Sequence, residues 1–423
     1  MRKTIPFPKR ELPPLALVKQ DLSTEHISDV RGDTIRRLLA ADLRTQIQPG
    51  MRVAITAGSR GMGKTIDLLS GIVEAVKSCG GEPFIIPTMG SHGGATAEGQ
   101  LEVLQRLGVT QEAVGAPVRS TMQTQSLGRS ATGAMAHLDD NAAKADGIIV
   151  VGGPKAHPRN KTRIASGLLK MVTIGLGKQL GAQEAHTHGL WPSVEAVPRI
   201  TMANAKILCG VSVVENPFHE PVIIEVVPPA YDAFKEADER LLEVSKSYIA
   251  EIPFAMLDLL VVDEFGKNIS GTGMDLNIIG PWRMNGGERK PDFRRIVVLS
   301  LTPQSLGNAL GIGLADFTTQ RFAEEYNADS TYINLLTATE PGAVSTRPGT
   351  LPLALSSDKE AIEVALFSAL AEERPRVCRI KNTSRLDEFW VSDALLDEVE
   401  KNENLTVVQR LAPLAFNEAN NLF

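Results

Sequence analysis

Cysteine is scarce: the chain has three in 423 residues, Cys79, Cys209 and Cys378, with no C-x-x-C pair among them. Neither a disulfide framework nor a thiolate zinc site can be built from cysteines so few and so far apart, and a reducing compartment suits the chain. No apolar run reaches the ~18 residues that a membrane span needs. The opening MRKTIPFPKRELPPL is broken by prolines where a signal peptide carries an apolar stretch. Basic clusters are missing too, and with a formal charge of -6 the chain lacks the cationic footprint that binding a phosphate backbone demands. These absences predict a soluble, cytoplasmic protein with no nucleic-acid and no membrane partner. They leave a homo-oligomer open.

What is present is ordinary globular composition in a chain too long for one core. Apolar residues make up 43% and charged residues 22%, enough to bury two sizeable cores. MRVAITA at 51 to 57 is an apolar run ending in Gly58, and residues 64 to 77 then place apolar side chains at helical spacing. PFIIPTM at 83 to 89, the turn GSHGG and a helix over 96 to 107 repeat the cycle. A helix over 137 to 145 leads into GIIVVGG at 147 to 153, the uninterrupted apolar pattern of a buried parallel strand. A helix over 227 to 248 precedes the break at Pro253. Beyond it the pattern predicts strands at 256 to 264, 294 to 301, 376 to 381 and 387 to 391, and helices at 314 to 326 and 358 to 371. The fold class is therefore α/β in two domains, residues 1–250 with a Rossmann-like parallel sheet and a smaller 251–423, with the site in the cleft between them.

In parallel sheets ligands gather at the C-terminal strand ends, which here carry GSRGMGK, GSHGG and GGPKAHPRNK. The first, from Gly58 and Ser59 through Arg60 to Lys64 and Thr65, matches the phosphate-cradling pattern G-x-x-x-x-G-K-[ST]. A nucleotide hydrolase also needs a carboxylate at a nearby strand end to hold magnesium, and GIIVV ends in Gly152. The acid-terminated run LLVVDE, with Asp263 and Glu264, lies far downstream. An NTPase using residues 58–65 is thus one reading, and a cofactor-free anion-binding module that uses the turn and Arg60 is another. His92 stands among glycines that let a substrate approach its imidazole, which suits a general base. A turn histidine bonded to backbone fits the same letters. Between 152 and 189 lie His157, His186 and His188, with Lys170 in the low-charge stretch SGLLKMVTIGLGK. Desolvation there would lower the pKa of that amine and make it nucleophilic. The H-x-H pair has metal-ligand spacing, with Glu184 alone as a nearby carboxylate, and exposed loop histidines are the plainer reading.

This succession resembles the nickel-pincer lactate racemases over residues 30 to 215: a strand-end arginine (Arg60), a G-[ST]-H turn (Gly90-Ser91-His92), a glycine-rich lysine segment (Lys170), and a histidine after it (His186). The resemblance implies a 2-hydroxyacid racemase or epimerase whose nickel-pincer nucleotide is tethered to Lys170, with His186 as the nickel ligand. It further implies that His92 takes the substrate hydroxyl proton, that Arg60 holds the substrate carboxylate, and that Gly58, Ser59 and Lys64 contact the cofactor. The partners implied are a small hydroxyacid and the pincer-synthesis enzymes. The chain departs from the family where its strand-end aspartate becomes Ala57 and its second catalytic histidine falls near Asn160; His157 or Lys161 is the substitute within reach. The family's later glutamine and lysine contacts have no clear counterpart beyond Lys267, in a loop that also reads as a plain glycine-rich turn.

Overall fold

A computed structural model describes residues 6–59, 63–155, 164, 166–337 and 346–423. The chain forms two compact α/β units. One takes in Ser23–Ile249 and residues 332–337; the other takes in residues 6–22, Ala250–Thr331 and 346–423. No described helix is long and apolar enough to cross a membrane.

In the first unit, β2 (Arg52–Ala57), β3 (Glu82–Pro87), β6 (Gly147–Gly152), β7 (Ile207–Glu215) and β8 (Pro221–Val227) make a sheet ordered β3-β2-β6-β7-β8. The first four run parallel, and β8 returns antiparallel to β7. Both faces are covered, which is why these strands read as unbroken apolar runs. Val53, Ile55 and Ala57 point into one core with Leu68 and Ile72 of the helix Thr65–Ser78, while Ala54, Ile148 and Val150 point into the other with Leu168, Val172 and Phe234. A hairpin of β4 (Thr124–Arg129) and β5 (Met135–Asp139) stands apart from this sheet. The helix expected over 137 to 145 is split by it. Asp139 ends β5, and its carboxylate accepts the Asn141 and Ala142 N–H groups, so that only Asp140–Ala143 is helical.

The second unit is an eight-stranded sheet ordered β12-β11-β10-β9-β13-β14-β1-β15. Its strands are β1 (Leu15–Gln20), β9 (Met256–Phe265), β10 (Asp292–Leu301), β11 (Phe317–Thr319), β12 (Leu353–Leu355), β13 (Val377–Asn382), β14 (Arg385–Ser392) and β15 (Leu405–Ala412). Residues 6–22, expected with the N-terminal half, belong here because β1 fills the place between β14 and β15 and pairs antiparallel with both. The helix expected over 314 to 326 is shortened to Gln320–Glu325. Ahead of it, β11 adds to β10, and the Thr318 and Thr319 hydroxyls bond to the Val298 and Leu299 carbonyls.

Candidate active site

The chain leaves β2 for β3 on one side and returns to β6 on the other, so the order of the first sheet reverses between β2 and β6. Such a reversal opens a crevice at the carboxyl ends of the strands. Backbone pairing here stops at Ile55↔Ile149. Beyond that point the Thr56 hydroxyl bridges the gap, accepting the Val151 N–H at 2.7 Å and lying 3.4 Å from the Val151 carbonyl. Gly58 and Ser59 continue from β2, and Gly153 follows β6; all three are half-buried.

Lys170 ends a short helix, Leu168–Lys170, whose start lies beside Gly152 at the end of β6 and which runs on into a wide turn over Met171–Gly175 closed by Leu176 N–H to Met171 O at 2.9 Å. Widened turns of this kind recur at functional sites because they re-aim the side chains around them. Asp238, fully buried on the helix Tyr231–Lys246, caps the start: its two oxygens accept the Leu168 and Leu169 N–H groups, each at 2.9 Å. Gly167, at φ 126, allows the approach, since a side chain there would collide with that carboxylate. Burial pushes the Asp238 carboxyl up to about 7, against the two N–H bonds that favour its charge. The wide turn then packs against both glycine turns. A Cβ placed on Gly58 would meet Met171 Cε at 3.6 Å, and one on Gly90 would meet Ile174 Cγ2 at 3.2 Å. Lys170 itself is half-buried, with Nζ 5.5 Å from the centre of the Trp191 ring. The fully desolvated lysine of the segment is Lys178.

His92 is half-buried in a turn that runs left-handed at Gly90, Gly93, Gly94 and Ala95. The preceding Ser91 is buried and accepts from Asn334 Nδ2 at 3.2 Å. Gln100, on the helix Ala97–Arg106, donates from Nε2 to the carbonyls of Gly90 (2.8 Å) and His92 (3.3 Å). Its Oε1 accepts from Lys178 Nζ, which also donates to Pro87 O at 2.7 Å and faces Asp139 Oδ2 at 3.6 Å. Lys178 and Asp139 are both fully buried; burial lowers the ammonium to about 8 although Asp139 opposes this, and burial raises the Asp139 carboxyl although Lys178 opposes that.

His186 is half-buried on the helix Lys178–Thr187. His188 ends that helix, with Nδ1 3.0 Å from the Glu184 carbonyl, while Glu184 Oε2 accepts the Met135 N–H at 2.8 Å. The H-x-H pair is thus divided: His188 caps its own helix. Among the described residues no three His, Cys, Asp or Glu side chains form a metal-binding group. At the P-loop-like turn, Gly63 N–H donates to His219 O at 2.8 Å and to Glu215 Oε1 at 3.1 Å, and Lys64 is exposed at the start of the helix Thr65–Ser78. The Glu215 carboxylate thus already takes the Gly63 N–H. Arg60, His157, Asn160 and Lys161 lie outside the described residues. In the second unit, Asp263 forms a two-pronged pair with Arg379, Glu264 accepts from Asn382, and buried Lys267 donates to Gly271 O.

Sequence reasoning passed over Lys178, Gln100, Asp139, Asp238 and Glu215. Two signals were present. Lys178 shares the low-charge segment of Lys170, and Asp238 sits in the apolar stripe Phe234, Ala237, Leu241, Leu242 of its helix, where a lone carboxylate needs a partner. No protein-family model matches the chain, and none of the curated proteins matches it.

Proposed function

We propose that this protein racemises or epimerises a 2-hydroxyacid at the strand ends of the five-stranded sheet, with a nickel-pincer nucleotide tethered to Lys170. The reading is supported by one observation: the turn that follows Lys170 packs against both Gly58 and Gly90, which sets the lysine segment beside the chain leaving β2 and β3. In this reading His186, half-buried on its helix, offers the metal one imidazole nitrogen, and the remaining donors would come from the cofactor. When bound, that group supplies reversible hydride chemistry at the carbinol carbon.

The chain's own residues do the rest. Lys170 offers a primary amine on a helix fixed by Asp238, so the tether starts from a defined place. His92 takes the hydroxyl proton on a neutral ring nitrogen, as a general base working near neutral pH does. Gly58, Ser59 and Lys64, with Arg60, would hold the anionic groups of substrate and cofactor, and His157 or Lys161 would act as the second base. A nucleotide hydrolase at residues 58–65 is less well supported, because Glu215 already accepts the Gly63 N–H and the neighbouring strand β6 ends in Gly152 in place of a magnesium-holding carboxylate. The test is a chiral assay over a panel of 2-hydroxyacids, using protein co-expressed with pincer-synthesis enzymes. Inversion at C2 that disappears in Lys170→Ala supports the reading; no inversion, with magnesium-dependent nucleotide binding lost in Lys64→Ala, overturns it.

A further inference from the structure

We infer that Lys178 is a positioning residue for His92, acting through Gln100: the buried ammonium fixes which way the Gln100 amide faces, and the amide fixes the backbone on both sides of Ser91. The inference rests on the reading of His92 as the proton-taking group of the site. Backbone bonds close the turn locally, from His92 N–H to Met89 O at 3.1 Å and from Ala95 N–H to Ser91 O at 3.0 Å. Four of its residues adopt the left-handed conformation, three of them glycines, whose backbone gives up the most freedom on ordering. The carbonyls of Gly90 and His92 face inward, and inward-facing carbonyls require donors. Gln100 Nε2 supplies one to each.

A glutamine amide can turn either end inward, and the choice falls to Lys178. An ammonium has three donors and no acceptor. It draws Gln100 Oε1 towards itself, and this sends Nε2 to the turn. A second Lys178 N–H goes to Pro87 O, the last residue of β3, so the same cation ties the strand end to the turn that leaves it. Asp139 provides the countercharge and is itself held by the N–H groups of Asn141 and Ala142. Lys178 also adopts φ 55, a conformation that costs any residue except glycine. A fully buried ion on a strained backbone would be an expensive way to fill space. It is a direct way to orient one amide.

The experiment is histidine-ring NMR on the full chain, with the His92 resonance assigned from its loss in His92→Gln. Two variants probe the relay: Gln100→Met, which keeps the shape and removes the donors, and Lys178→Met with Asp139→Asn, which leaves no lone carboxylate buried. Ile362→Ala, in the core of the second unit, serves as a destabilised control. Both relay variants are expected to shift the His92 ring resonance and its titration midpoint, and the control to leave them in place. A His92 resonance unmoved in Gln100→Met, or moved as much by Ile362→Ala, overturns the inference; should the double variant fail to fold, Gln100→Met decides by itself. In cofactor-loaded protein the same substitution should lower kcat with little change in KM. Absence of hydroxyacid turnover in the wild type would remove the proposed reaction, and the NMR shifts would still decide whether Lys178 positions His92.

Discussion

Both units of this protein reverse their strand order, and they finish the reversal in opposite ways. In the eight-stranded sheet the reversal falls at β9, between β10 and β13, and its acids are closed off: Asp263 by both prongs of Arg379, Glu264 by Asn382, with the Arg379 guanidinium stacked 4.5 Å over the Trp390 ring. In the five-stranded sheet the strands end in glycine turns, and Lys170 and His92 stay half-buried while fully buried side chains bond the backbone near them, Asp238 at Leu168 and Leu169 and Lys178 at Pro87. Charge at a strand end does not by itself mark a site. What separates the two ends is whether the buried charges satisfy each other or pin something else.

Four changes sharpen that contrast, taken from the largest expected effect down. Arg379→Ala strands a buried carboxylate at Asp263 and should cost about 3–5 kcal/mol in denaturant unfolding, with no effect on any chemistry at the five-stranded sheet. Asp238→Asn turns an amide N–H towards one of the two backbone donors it must accept, and should cost about 1–3 kcal/mol as well as cofactor attachment at Lys170. The pH signature of Asp238 has a definite sign. Its carboxyl rises from 3.8 to about 7 on folding, so between those values the folded chain keeps a proton that the unfolded chain has released. The stability it contributes is therefore present below pH 3.8 and is lost as pH climbs to 7; subtracting the Asp238→Asn profile from the wild type should isolate that falling slope. Lys178 runs the other way. Folding lowers its ammonium from 10.5 to about 8, the unfolded chain holds the extra proton between these values, and stability should rise with pH across that window. Replacement of both Lys178 and Asp139 by neutral residues should flatten the rise. Thr56→Val removes the hydroxyl that accepts the Val151 N–H at the crevice, a loss of about 1 kcal/mol readable as a lower Tm.

The strands of the first sheet were legible because burial on both faces leaves a plain apolar run, as in MRVAITA and GIIVVGG. β1 was not legible: Val18 pairs with Phe389, a partner far away in the chain that no local pattern can announce. The stretch from 137 to 145 looks helical from its alanines and leucine, yet Asp139 caps a helix that starts only after it. The site was half readable. Glycine spacing marked the turns, and composition marked the lysine segment, but composition cannot tell which lysine of SGLLKMVTIGLGK turns inward. The wide turn over Met171–Gly175 and the left-handed backbone of Lys178 make that choice, leaving Lys170 half-buried and Lys178 in the core.

The central claim, that Lys170 carries the cofactor, is tested most directly by peptide-mapped mass spectrometry with metal analysis on protein co-expressed with pincer-synthesis enzymes. The account predicts a nucleotide-sized adduct on Lys170 with stoichiometric nickel, both absent in Lys170→Ala and the nickel reduced in His186→Ala. An adduct on another lysine, or full hydroxyacid turnover in protein that carries none, would contradict it.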